Sequence, residues 1–270
     1  MLKETSKEWN SNAGCGICRM SLLSVFREPL LSSGLSTQLL FGELYNIVHI
    51  GPDDQWVKIE GVESTGTGWI MASQHHPLSR DEFDFFVQSP RQIVSKGIGE
   101  IRLKDNTLLL LPGSQIHAGQ NEIFEWEDSI KFNGTSHSFE EKASRAEIIA
   151  TALTFLNAPF LPGGRSLFGL NASSWLNLVF KISGVILPND LIAFKNIGKE
   201  GEVSAIQAGD LIVFGANQGS PFQAGLYMGE REILWVREKV KTGAFDPEKW
   251  DKNAALSGSI QLMAIKNLVD

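Results

Sequence analysis

The sequence predicts two small all-β modules followed by a mixed α+β domain, and three observations carry that prediction. Over residues 19–135 short apolar runs alternate with turn residues at β spacing. At residue 143 the apolar period lengthens to that of an amphipathic helix. Beyond residue 209 strand-like runs return, so helices come first in the last domain and a strand meander follows.

In the first module the runs Leu22–Phe26, Gln38–Phe41, Leu44–Ile50, Gln55–Ile59 and Gly68–Met71 read as strands of a small barrel. Pro29, Ser32–Ser33–Gly34, Gly51–Pro52–Asp53–Asp54 and the Gly61–Gly66 loop supply the turns. Trp56 and Trp69 are assigned to core or groove. The second module reads as strands at Phe83–Val87, Gly99–Leu103, Thr107–Leu111, Glu122–Trp126 and Ser129–Phe132, with a turn at Pro112–Gly113. Ser144 followed by Glu147 forms a capping box, and the stripe from Ile148 to Leu156 predicts a helix of about twelve residues that ends before Pro159. Asn171 caps a second helix that buries Ala172, Trp175, Leu176, Val179 and Ile182 and stops at Gly184. Strands follow at Asp210–Phe214, Ala224–Met228, Ile233–Val236 and Ser259–Ile265.

Composition narrows the function classes. With 31 acidic against 24 basic side chains the formal charge is −7, whereas a phosphate backbone needs clustered Lys and Arg; nucleic acid is not an expected partner. The apolar runs fall far short of the ~20 residues of a membrane-spanning helix, so no membrane span is expected. The first residues lack the apolar stretch of a secretory signal. The protein is expected in the cytoplasm if this start is native, and in the periplasm or cell envelope if a signal was removed. Cys15 and Cys18 have the spacing of a redox pair, but the segment runs into a strand-like stretch rather than a helix. Ordinary thiols are the better reading, ahead of redox chemistry or zinc shared with His75 and His76. No cofactor is expected. The acidic residues Glu122, Glu125, Glu127 and Asp128 read as a solvated strand edge.

Several phrases resemble a known family. Ala158–Pro159–Phe160–Leu161–Pro162–Gly163–Gly164–Arg165–Ser166 with Phe168–Gly169–Leu170 is similar to the entry of the NlpC/P60 cysteine peptidases. So are Leu187–Pro188–Asn189–Asp190, Gly209–Asp210–Leu211–Ile212–Val213–Phe214 and Gly225–Leu226–Tyr227–Met228–Gly229. Arg27–Glu28–Pro29, Thr37–Gln38–Leu39–Leu40–Phe41–Gly42–Glu43 and Gly68–Trp69–Ile70 resemble the bacterial SH3 domain of the γ-D-glutamyl-L-diamino-acid endopeptidases of that family. The resemblance implies an N-terminal segment (1–18), two bacterial SH3-like β-barrels (19–80 and 81–138) and a papain-like α+β domain (143–270).

It also implies a catalytic thiolate at a helix N-terminus, a His base on a facing strand and a third polar residue that orients the base. Those positions fall here on Ala172, Gln223 and Trp235. Independently of any alignment, all five histidines and both cysteines precede residue 138, so residues 144–270 contain neither type. Ser173 and Ser174 are the hydroxyls at hand, and at the first turn of a helix they read as caps. The family's amine-recognition Glu and Tyr fall on Gly34 and Gly66, with Glu60 or Glu63 as substitutes for the missing charge.

The sequence therefore predicts a catalytically inactive homologue of a cell-wall (murein) peptide endopeptidase, leaning away from an enzyme. Its expected ligand is a murein-derived peptide or another small ligand, held in a cleft formed by Arg165, Ser166, Asn171, Ser173, Gln223, Tyr227 and Trp235. Trp235 is expected to narrow or plug that cleft. Two alternatives stay open: an active hydrolase using other residues, and a protein–protein adaptor.

Overall fold

The described residues form four antiparallel sheets, one of them a two-stranded ribbon, and three α-helices. The structure, a computed structural model, describes residues 14–51, 54–102, 106–117, 131–215, 221–246 and 261–269. The first sheet contains β1 (Cys15–Ile17), β2 (Leu22–Phe26), β3 (Leu35–Leu40), β4 (Leu44–Ile50), β5 (Trp56–Gly61), β6 (Thr67–Met71) and β7 (Pro77–Leu78), in the spatial order β3-β2-β6-β5-β4-β1-β7. Alternation along these strands sends Leu23, Val25, Leu39, Tyr45, Ile47, Val57, Ile59 and Ile70 into one core. The expected barrel is not closed: β1 and β7 extend the path past β4, and the ends of the sheet do not pair among the described residues. Trp56 and Trp69 are half-buried against Phe26 and His49.

Cys15 lies inside β1, paired with Asn46 and Leu78, so the two-cysteine segment is sheet and not the mouth of a helix. Both thiols are free and buried. Burial pushes Cys18 up to about 12, away from the thiolate that redox or metal chemistry requires. His75 is held by Tyr45, whose hydroxyl lies 3.0 Å from Nδ1.

The second module departs from expectation at its start. Phe83–Val87 belongs to a helix, α1 (Arg80–Gln88), with a capping box formed by Ser79 and Glu82. Phe83 and Phe86, three apart, make its buried face while Phe85 and Val87 stay exposed, a helical rather than an alternating pattern. Next come β8 (Arg91–Arg102), β9 (Thr107–Leu110), β10 (Gln115–His117) and β11 (Lys131–Ser138); β8 pairs with all three others. Among the described residues this sheet too is open. The runs Glu122–Trp126 and the acidic residues around them lie outside the described residues.

In the last domain α2 (Arg145–Leu153) starts on the predicted capping box but is nine residues long. Its expected final turn tightens to three-residue bonds, Thr154 to Thr151, Phe155 to Ala152 and Leu156 to Leu153, before Asn157 turns at φ 70°. The short strands β12 (Arg165–Ser166) and β13 (Gly169–Leu170) lead into α3 (Ala172–Ile182), capped by Asn171. Gly184 takes φ 81° just past its end, where its N–H bonds Lys181 O and the next N–H bonds Phe180 O. The last sheet contains β14 (Lys199–Glu200), β15 (Leu211–Gly215), β16 (Pro221–Gly229), β17 (Glu232–Val236), β18 (Val240–Ala244) and β19 (Gln261–Asn267), in the order β14-β19-β15-β16-β17-β18. β14 and β18 were not anticipated.

Helix α3 is buried on nearly every side. Trp175, Leu176, Val179 and Phe180 join Leu211, Val213, Ala224, Leu226, Leu234 and Val236 of the sheet, and Leu40, Ile93 and Leu111 of the two N-terminal sheets enter the same cluster. At about 1.5–3 kcal/mol for each fully buried large apolar side chain, this helix is the main apolar anchor of the molecule. A charged cluster lies beside it. Glu43 accepts hydrogen bonds from Arg165 Nη1 (2.7 Å), Lys181 Nζ (2.5 Å) and Leu40 N (2.8 Å), with all three charged side chains at most 2% exposed. Arg165 further binds Asn177 Oδ1 through Nε and Nη2, and its backbone N–H donates to Gln38 Oε1.

Candidate active site

The N-terminus of α3 opens on a cavity of about 260 Å³ lined by Phe160, Asn171, Ala172, Ser173, Leu191, Phe222, Gln223 and Val236. Ala172 is the first helical residue, and Gln223 comes from β16, so the two positions matched to nucleophile and base share one space. Asn171 fixes the helix start: its Oδ1 accepts from Ser174 N and Ser173 Oγ (both 2.9 Å), while Ser174 Oγ accepts from Asn171 N (3.0 Å) and donates to Gly164 O (2.6 Å). Both serines are thus engaged as caps. The Ser173 hydroxyl points its proton at a neutral amide oxygen, which is no base.

Gln223 is held at both ends of its amide. Nε2 donates to Val236 O, and Oε1 accepts from Ala224 N at 3.0 Å. It spans β16 and β17 as a brace. Among the described residues that line it none carries an acid or a base, and these offer shape, apolar contact and neutral hydrogen bonding. Asn171, Ala172, Ser173 and Gln223 meet as anticipated.

Four other predicted cleft residues do not line this cavity. Trp235 lies on the sheet face away from α3, its ring against Phe214 at 5.9 Å and under Arg237 at 4.9 Å, because it pairs with Gly225 and alternates with Val236. It therefore does not plug the cavity; Val236 faces it instead. Arg165 is fully buried in the ion cluster, and Ser166 is buried, its Oγ accepting from Phe168 N. Tyr227 packs with Phe245 in the cluster on the far sheet face, its hydroxyl accepting from Arg231 N.

Gly34 and Gly66 lie on the edge of the first sheet that faces the last domain. Gly66 abuts Thr37 and Asn189, and Leu35, next to Gly34, presents its carbonyl to Gly163. Gly34 is exposed with φ 78° and open space where a Cβ would stand. Glu63 does not replace the missing charge there, because it is spent on Arg91 and on Gln115 Nε2 at 2.9 Å. Glu60 stays on the exposed face of β5.

The cavity residues missed by the sequence reading, Phe160, Leu191, Phe222 and Val236, each lie within or next to a quoted motif. The available signal was adjacency. An apolar residue beside a catalytic position on a strand end is a candidate wall.

Comparison with known proteins agrees with this arrangement. The NlpC/P60 family model matches residues 157–258. The chain is similar to a gamma-D-glutamyl-L-lysine dipeptidyl-peptidase of Bacillus subtilis strain 168, 25% identical over 216 residues that cover 74% of this chain and 71% of that one. It is also similar to dipeptidyl-peptidase 6 of Lysinibacillus sphaericus, 24% identical over 235 residues, covering 77% and 82%. Among solved structures, an NlpC/P60 family protein from Bacillus cereus ATCC 10987 superposes with a TM-score of 0.75 at 17% identity, over 95% of this chain and all of that one. An NlpC/P60 endopeptidase from Photobacterium damselae subsp. piscicida gives 0.66 at 13% identity, over 93% and 70%. The segment that carries both the α3 N-terminus and the Gln223 strand facing it is an NlpC/P60 family domain.

Proposed function

We propose that this protein is a non-catalytic member of the cell-wall NlpC/P60 group that binds a murein-derived peptide in the α3 cavity without cleaving it. The carrying observation is the lining itself: the space shared by the nucleophile and base positions holds Ala172 and a backbone-tethered Gln223, and no ionisable group. Without a thiolate the acyl-enzyme route is closed, and Ser173 has no base to activate it. The name of the Bacillus subtilis relative, a gamma-D-glutamyl-L-lysine dipeptidyl-peptidase, suggests the ligand class. In this reading the last domain (143–270) is papain-like, with the helix N-terminus set against a strand of the facing sheet, and residues 19–80 and 81–138 are opened SH3-like modules that flank the cleft. The five strands read from turn spacing in the first module support that assignment.

The test is a long incubation with L-Ala-γ-D-Glu-L-Lys, both free and N-acetylated, read by mass spectrometry, alongside calorimetric titration with the N-acetylated form. Saturable heat with no dipeptide release is expected. Release that is lost in Ser173→Ala would overturn the reading in favour of a hydrolase.

A further inference from the structure

Resting on the reading of the α3 cavity as a peptide site, we infer that it accepts the uncharged, N-acylated interior of a peptide and rejects a free N-terminal ammonium. None of the eight lining residues is Asp, Glu, Lys, Arg or His. An ammonium entering there would give up its water shell with no carboxylate to replace it, and would face the positive end of the α3 dipole.

Among the described residues, three charged side chains on the flanking segments are engaged elsewhere. Asp190 Oδ1 accepts from Ile192 N (2.9 Å), Glu238 pairs with Lys241 (2.7 Å), and Lys239 donates to Asn157 Oδ1 (2.7 Å). None of these lines the cavity.

The neutral groups that remain match a peptide unit. Asn171 has its Oδ1 taken by Ser173 and Ser174, which leaves the Nδ2 hydrogens as donors. Gln223, after bonding Val236 O and Ala224 N, retains one Nε2 hydrogen and one Oε1 lone pair. Ser173, having donated to Asn171, retains acceptor capacity. A secondary amide brings one acceptor and one donor without charge, and Phe160, Leu191, Phe222 and Val236 give its side chains apolar walls. A carboxylate would gain from the helix end but would find no cation on the lining.

Calorimetry with the full chain decides this, using N-acetyl-L-Ala-γ-D-Glu-L-Lys and the same peptide with a free amine at pH 6.5, where an α-amine of pKa about 7.7–8.0 is charged. The acetylated peptide is expected to bind at least about tenfold more tightly. The free peptide is expected to close that gap at pH 9.5, where its amine is neutral. Equal or tighter binding of the free amine at pH 6.5 overturns this inference while leaving the cavity a peptide site. Binding of neither peptide overturns the peptide-site reading and the inference with it. Ala172→Asp adds a carboxylate at a helix position that favours one and is expected to reverse the preference; an unchanged preference in that folded variant would place the discrimination elsewhere and refute the assignment.

Discussion

Replacing Glu43 with Gln keeps the shape of the side chain and removes the one carboxylate that two buried cations share. Arg165 and Lys181 would then stand at 0% and 2% side-chain exposure, without their anion. Breaking a buried ion pair from one side costs about 3–5 kcal/mol, because the remaining charge stays desolvated. Burial already pulls Lys181 below its ordinary range, against the upward pull of Glu43 and Glu63, so in the variant Lys181 can shed its proton and relieve part of the cost. Arg165 cannot. The expected loss is therefore about 3 kcal/mol, or a melting temperature lower by roughly 5 °C at this chain length.

The assay is urea unfolding followed by tryptophan fluorescence, in parallel with Glu43→Leu/Arg165→Met/Lys181→Met, which removes the whole network and is expected to cost less than the single change. A sign argument adds a pH signature. Burial would raise the Glu43 carboxyl, but Arg165, Lys181 and the Leu40 N–H outweigh it and hold it below the usual range. The unfolded chain thus binds more protons in acid, and the stability held by this carboxylate is present above about pH 4.3 and lost as pH falls through the depressed value. A loss under about 1 kcal/mol for Glu43→Gln would refute the claim that the cluster ties the first sheet to the last domain.

Burial pushes the His117 imidazole down to about 4, against the opposing hydrogen bond to Gly42 O, so stability should fall by up to about 3 kcal/mol between pH 6.5 and 4, above the Glu43 window; His117→Gln should flatten that limb of a stability–pH curve. Asn171→Ala removes the α3 cap and should cost about 1 kcal/mol by chemical denaturation, whereas Asn171→Asp should cost little. Ala172→Cys with Gln223→His should not give the turnover of an intact peptidase in a murein-peptide assay, because Trp235 lies on the other sheet face and supplies nothing to orient the new imidazole; activity at that level would show the dyad to be the only deficit.

How much of this was legible beforehand differs by element. Helices α2 and α3 were found from Ser144–Glu147 and from Asn171 because capping chemistry is local and period is visible in one segment. Helix α1 carries the same signature, Ser79 and Glu82, but Phe83-Asp84-Phe85 mimics alternation and drew a strand assignment. The cavity positions Ala172 and Gln223 were legible from motif order. The Trp235 assignment failed on facing: Trp235 and Val236 alternate along β17, and which of them turns to the cavity is decided by how the sheet packs on α3, a tertiary fact. The Glu43 cluster was invisible for the same reason, since its members are separated by 122 and 138 residues. Arg165 was assigned to the cleft because the family resemblance sets Gly163–Gly164–Arg165 in its wall, and only tertiary packing reveals its buried partner.

The separation in role between the Glu43 cluster and the α3 cavity has a consequence for how such a protein changes over generations. The ion cluster that helps keep the fold together, Glu43, Arg165 and Lys181, does not face the cavity. At Ala172 a methyl satisfies its surroundings, and at Gln223 a side chain that keeps the bonds to Val236 O and Ala224 N does so, so change within those limits carries little folding penalty. Inheritance of the architecture and inheritance of the chemistry are uncoupled here, and the pocket is open to being retuned one side chain at a time for recognition alone.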